Sequence, residues 1–475
     1  MRPLSHRLPP VIIVAAICLP AVILFSSKMS PLLLFAGLVG LFALIASAIY
    51  RPAAFLAVPI FASQFKGLPG LRSIEGSVDL TLLSLCLAAF VIVLHSILGT
   101  QRVQLVPGRF TGSSKQITAF FFFALIVAGS YLYTPAPQYG GEKLLRFLLI
   151  GAFFLLGPLY LINSDDDFRH FSFAFVMLAI VQSFVLFVRA GRVSSMEDTD
   201  VTRIGAGWVI GMAILLLLFC RVSETPFWRK ALTIASLPIL VAGLITSASR
   251  GAIFSTSIAG FYLLFKVYKG RSKAIVGVIA LVALVCAATA FYFLRNMGSG
   301  KYTEKADEIV EMVEGHGSSG TAAQRLAFYQ SAFREIEQRP LMGLGVGGWS
   351  VYYFGKDERA YPHDLLLEIS TEEGMIGVIA FVIFLAAIYR ASKDLSNLTG
   401  THFAVLSGLL LFTLIATMFS GDLDDDRVLW LWSGMTLATL HFARLQFAKL
   451  VFRERVFENA SPQPDRPVHT PELAH

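Results

Sequence analysis

Long apolar runs alternate with short polar turns along almost the whole chain. They fall near 9–26, 31–49, 52–64, 79–98, 117–133, 144–162, 170–188, 204–220, 231–247, 251–268, 274–294, 374–389, 402–419 and 428–443. Most have the length of about 20 residues that a helix needs to cross a bilayer core. The third run is short and broken by Pro59, which predicts a half-helix or re-entrant piece. The pattern predicts an all-α polytopic membrane protein with about 12–14 transmembrane helices.

The polar stretches divide the chain. Residues 1–294 hold about eleven spans, 295–373 form one long extracytoplasmic loop, and 374–443 hold the last three spans. Residues 444–475 read as a cytoplasmic tail, expected to be disordered where prolines accumulate toward the end. In the long loop, Ala306, Ile309, Val310 and Val313 fall at helical spacing, as do Leu326, Tyr329, Phe333 and Ile336. Both predict amphipathic helices suited to lying on a membrane surface or capping the bundle.

Composition agrees with spans and excludes a soluble chain. Hydrophobic residues make up 55% of the 475, charged residues 15%, and the mean hydropathy is +0.67. The net charge of +7 forms no basic stripe, so it does not point to nucleic acid. It sorts by topology instead. With the N-terminus inside, 21 Lys and Arg fall on the inner side against 10 in the short outer loops, the bias expected of a cytoplasmic face. Cys18, Cys86, Cys220 and Cys286 each lie within apolar runs without a CxxC or Cys/His spacing. They read as small hydrophobes, not as a disulfide framework or metal site.

Polar residues at the outer ends of spans are the candidates for chemistry. Arg250 occupies a very short turn between two apolar runs, directly ahead of a helix start, and Arg203 ends the polar loop 192–203. Arginine at a membrane span is expensive and seldom idle, although it also snorkels to lipid phosphates. The glycine-rich stretch 343–348 is followed by no Lys-Ser/Thr. It reads either as a phosphate cradle or as a flexible re-entrant loop beneath an interfacial Trp349. Pro362 suits a first helical turn, so His363 is expected at the start of a helix returning to the membrane. The aspartates at 422 and 424–426 read either as a solvated outer turn or as a cation site.

The order of these pieces resembles the bacterial O-antigen ligase/polymerase family. The carrying residues are Arg325, Pro340-Leu341-Met342-Gly343-Leu344-Gly345, Pro362-His363-Asp364, Leu367-Glu368 and Glu373-Gly374-Met375-Ile376-Gly377. Upstream, Thr246-Ser247-Ala248-Ser249-Arg250-Gly251-Ala252 is similar to the family's T-x-S-R-G-A turn. Asp364 departs from it, since the family more often has Asn there.

The resemblance implies a metal-independent, inverting glycosyltransferase without a cofactor. It takes a glycan from an undecaprenyl diphosphate carrier at the periplasmic face of the inner membrane. The acceptor is a sugar hydroxyl, on lipid A core in a ligase or on the next lipid-linked repeat in a polymerase. Arg203, Arg250 and Arg325 are then the expected diphosphate contacts, because guanidinium forks match phosphate oxygens. His363 is the expected general base, kept neutral by flanking arginines, with Asp364, Glu368 or Glu372 as its orienting partner. A membrane transporter or flippase using the same arginines is the rival reading.

Overall fold

The computed structural model describes residues 48, 50–62, 64, 80–97, 112–190, 200–220, 227–267 and 321–460. The first run, most of the second, the run at 274–294, the expected amphipathic helix near Ala306 and the end of the tail lie outside the described residues. Those described are helical, with no strand among them. The protein is an all-α polytopic membrane protein.

In chain order the helices are α1 (Pro52–Phe55), α2 (Val58–Ala62), α3 (Leu80–Ile97), α4 (Ser114–Ser130), α5 (Pro137–Arg146), α6 (Ala152–Leu161), α7 (Asp165–Ala190) and α8 (Asp200–Phe219). There follow α9 (Phe227–Thr246), α10 (Arg250–Val267), α11 (Thr321–Gln338), α12 (Gly348–Phe354), α13 (Leu365–Glu372), α14 (Gly374–Leu398), α15 (Gly400–Ser420) and α16 (Arg427–Ala460). A π-helical turn, Phe147–Gly151, joins α5 to α6. Four helical stretches among the described residues are long and apolar enough to cross a membrane: Ser114–Tyr133, Pro137–Leu161, Asp165–Phe187 and Gly374–Leu398. Shorter apolar helices accompany them. The piece at 52–64 is indeed broken into α1 and α2, as Pro59 predicts. Helix continues through Ala460, so the tail begins in helix well past 443; the residues after 443 are rich in Leu, Ala, Lys, Arg and Glu, all good helix formers.

In lipid, helices gain little from burying apolar surface against each other, so packing depends on close fit. Gly251 of α10 lies so near α15 that a Cβ there would fall 2.8 Å from Phe419 Cβ. An aromatic core made of Phe120, Phe123, Phe147, Phe384 and Trp430 ties α4, the α5–α6 segment, α14 and α16 together, with ring centroids 5.2–6.5 Å apart. Edge-to-face and tilted contacts of this kind exclude voids and fix helix rotation.

Candidate functional site

Several helix ends converge at one end of the bundle around a cavity of about 800 Å³. It is lined by the starts of α8, α10 and α16, the end of α15, the first half of α11 and the segment before α13. Alternation of the spans places these termini on one side. All four residues singled out in the sequence, Arg203, Arg250, Arg325 and His363, line this cavity.

Each is set by local chemistry. Before Arg250, Ser247 Oγ donates to Leu244 O at 2.6 Å, and Ala248 takes a left-handed backbone with φ 52°. Ser249 Oγ then accepts from Ala252 N at 3.4 Å, so that Arg250 begins α10 behind a serine cap. Arg325 Nη1 donates to Phe419 O at 2.9 Å, satisfying a carbonyl at the C-terminal end of α15 while its side chain borders the cavity. Arg203 lies in the first turn of α8.

His363 also has a left-handed backbone, φ 62°. Strain of this kind costs about 1–3 kcal/mol and collects at functional positions. Helix α13 starts only at Leu365, because Asp364 is its cap, its Oδ1 accepting from Leu367 N at 3.0 Å. Asp and Asn cap equally well, which accounts for the departure from Asn at this position. The imidazole packs against Tyr361 at 4.4 Å between centroids, and its Nδ1 has no hydrogen-bond partner among the described residues. Burial first, and then the Arg325 charge, depress its pKa to about 4, with Arg359 adding to them and Asp422 opposing. The ring is therefore neutral at neutral pH. None of the three carboxylates expected to orient it does so. Asp364 caps α13, and Glu368 and Glu372 are engaged with Lys143.

Residues 235–382 match the O-antigen ligase family. Both stretches that resemble that family, 246–252 and 325–377, fall inside the matched segment. The chain is 28% identical over 99 residues to a provisionally named polysaccharide ligase of Rickettsia conorii, covering 18% of this chain and 23% of that protein. It is 23% identical over 201 residues to an O-antigen polymerase of Salmonella muenchen, covering 41% of this chain and 47% of that protein. The chain thus spans less than half the length of either relative.

The ligase-like segment leaves out much of the cavity wall. Arg146, Arg359 and Arg427 line the cavity as well, and only Arg359 lies within 235–382. Each faces an aspartate of the turn after α15. Arg359 meets Asp422 at 2.9 Å, Arg146 Nε lies 3.8 Å from Asp424, and Arg427 pairs with Asp425. That turn is not a solvated one: Asp422, Asp424 and Asp426 are all buried. Against the upward push of burial, bonding to Asp424 and the Arg359 charge hold Asp422 below the usual carboxylate range. Burial and the Asp422 charge push Asp424 up. Among the described residues no group of His, Cys, Asp or Glu is arranged to hold a metal ion. The signals for the three missed arginines were slight: a basic pair, Lys143 and Arg146, at the start of one run, Arg427 directly after the acidic turn, and Arg359 as one charge in the polar stretch Lys356-Asp357-Glu358-Arg359.

The glycine-rich turn is neither a flexible loop nor a phosphate cradle. Its amides are used internally: Leu344 N donates to Thr371 O at 2.9 Å, Gly345 N to Glu372 O at 2.7 Å and Val346 N to Ser130 Oγ at 3.0 Å. Trp349 is fully buried against Tyr353 and Phe328, not held at an interface. A backbone locked on both sides has no donors left for a ligand.

Proposed function

We propose that this protein is a membrane glycosyltransferase that moves a glycan from undecaprenyl diphosphate to a sugar hydroxyl at the periplasmic face of the inner membrane. The supporting observation is the gathering of Arg203, Arg250, Arg325 and His363, from α8, α10, α11 and the segment before α13, around one cavity. In this reading the arginines hold the diphosphate, aided by the backbone N–H groups that open α10. His363 takes the proton from the acceptor hydroxyl, whose oxygen attacks the anomeric carbon. The bond from that carbon to the phosphate oxygen breaks, and undecaprenyl diphosphate leaves with the electron pair. A single displacement inverts the anomeric centre, and no metal is needed because guanidinium groups receive the developing charge.

The acceptor is a saccharide, lipid A core for a ligase or the next lipid-linked repeat for a polymerase. The two named relatives fall on either side of that division. A transporter reading asks for charged or broken helices near mid-membrane; here the candidate residues collect at helix ends, and the broken piece 52–62 is the exception. The test is transfer by purified protein in lipid: a lipid-linked glycan and an acceptor saccharide should yield the joined product with release of undecaprenyl diphosphate. Donor movement across vesicles without any joined product would overturn the reading.

A further inference from the structure

Among the described residues, the fully buried charges Lys143, Glu368 and Glu372 do not line the cavity. Lys143 of α5 is fully buried, its ammonium 2.6 Å from Glu372 and in contact with Glu368 as well. The two glutamates are four residues apart, hence on one face of α13. Each also holds a second segment. Glu372 Oε2 accepts from Gly347 N at 2.8 Å, in the glycine-rich turn. Glu368 Oε2 accepts from Leu423 N at 3.2 Å. Leu423 stands between Asp422 and Asp424, the partners of Arg359 and Arg146, and Arg146 is itself one turn beyond Lys143 on α5.

One ammonium thus joins three pieces of the site: the helix that follows His363, the turn that holds the arginines, and the helix that supplies Arg146. A buried ion pair is a poor source of stability, since apolar residues of similar volume do as well or better. What it does provide is register. Two carboxylates on one face of α13 can both reach a single ammonium in only one rotation and height of that helix. His363 sits at the mouth of α13 on a strained backbone, so that rotation decides where its imidazole points.

We propose that Lys143 is a positioning residue for glycosyl transfer, setting His363 against the arginine-bearing turn through Glu368 and Glu372. The inference rests on the reading of the cavity given above.

The test uses the full-length protein in lipid and follows kcat, donor KM and the pH profile of kcat. Lys143→Met strands two buried carboxylates. A second variant, Lys143→Met/Glu368→Gln/Glu372→Gln, removes the buried charges, keeps acceptors for Gly347 and Leu423, and carries the test if the single variant inserts poorly. Misplacing a catalytic group by about 1 Å can lower the rate by about 10²-fold, and a fall of that order in kcat is expected. Donor KM should stay within about threefold, since the proposed diphosphate contacts Arg203, Arg250 and Arg325 lie on α8, α10 and α11, which the Lys143 cluster does not join. The groups facing the imidazole are Arg325, Arg359 and Asp422. Releasing His363 from them and from its buried seat should move the acid limb of kcat to higher pH. A merely structural role would lower the amount of active protein and leave the limb in place. An unchanged pH limb, or kcat within about threefold of wild type, would overturn the inference. Failure of wild type to transfer glycan in the same assay would instead overturn the glycosyltransferase reading.

Discussion

The imidazole of His363 lies almost parallel to the ring of Phe328, with centroids 6.0 Å apart and planes at 20°. Phe328 is three residues beyond Arg325 on α11, so one face of that helix presents a charge to the cavity and a flat apolar backing to the histidine. The same packing buries the ring and excludes water from one side of it.

If this ring is the general base, His363→Ala should lower glycan transfer by about 10²–10⁴-fold while donor binding changes little. His363→Asn is the better control for the backbone, because Asn tolerates the left-handed conformation. It should be equally inactive. Transfer by either variant within a few-fold of wild type would make the histidine structural.

Arg250→Lys keeps the charge at the start of α10 but loses the planar pair of donors. A clear loss of transfer is expected, with normal membrane insertion, and a greater loss for Arg250→Ala. Binding of a lipid-linked diphosphate, measured in parallel, should weaken in the same order. Two variants that both restore polysaccharide in a knockout strain would remove Arg250 from the diphosphate site.

The depressed pKa of His363, about 4, fixes the sign of the pH dependence. Only the neutral ring accepts a proton, so acidification inactivates, and a lowered pKa carries that limb below the ordinary imidazole value of about 6.5. The kcat/KM profile, which reports the free enzyme, should therefore stay flat down to about pH 5. A bound diphosphate favours the protonated ring, so the limb of kcat should lie at higher pH than that of kcat/KM. A kcat/KM limb at the ordinary value would show that burial and Arg325 do not act on this ring as described.

Gly345 has φ +89°, and a Cβ there would fall 2.7 Å from Ser130 O and from Thr134 Cα. Gly345→Ala should therefore lower the melting temperature in detergent, the backbone strain alone costing about 1–3 kcal/mol. An unshifted melting temperature would mean that the turn is looser than its hydrogen bonds indicate.

Chelation addresses the aspartate turn. With arginines already paired to Asp422, Asp424 and Asp425, EDTA should leave transfer unchanged. A loss reversed by Mg²⁺ or Mn²⁺ would assign the turn to a cation.

Hydropathy determined the all-helical membrane architecture, because crossing a bilayer imposes length and hydropathy on each element separately, and Pro59 pointed to the break just before it. Arg203 and Arg250 were nominated by their places at span ends, where arginine stands out against an apolar background, and Arg325 and His363 by the motifs that resemble the ligase family. What pairs with what was decided only by folding. Asp422 and Asp424 read as part of a solvated turn because their arginines, Arg359 and Arg146, lie 63 and 278 positions away in the chain. The glycines at 343–348 read as loose because the atoms that lock them belong to α4 and α13. Lys143 read as one more outer charge, and its burial between Glu368 and Glu372 follows from how α5 meets α13. A sequence records the charges it contains; their partners are set by packing, which brings distant segments within a few ångströms.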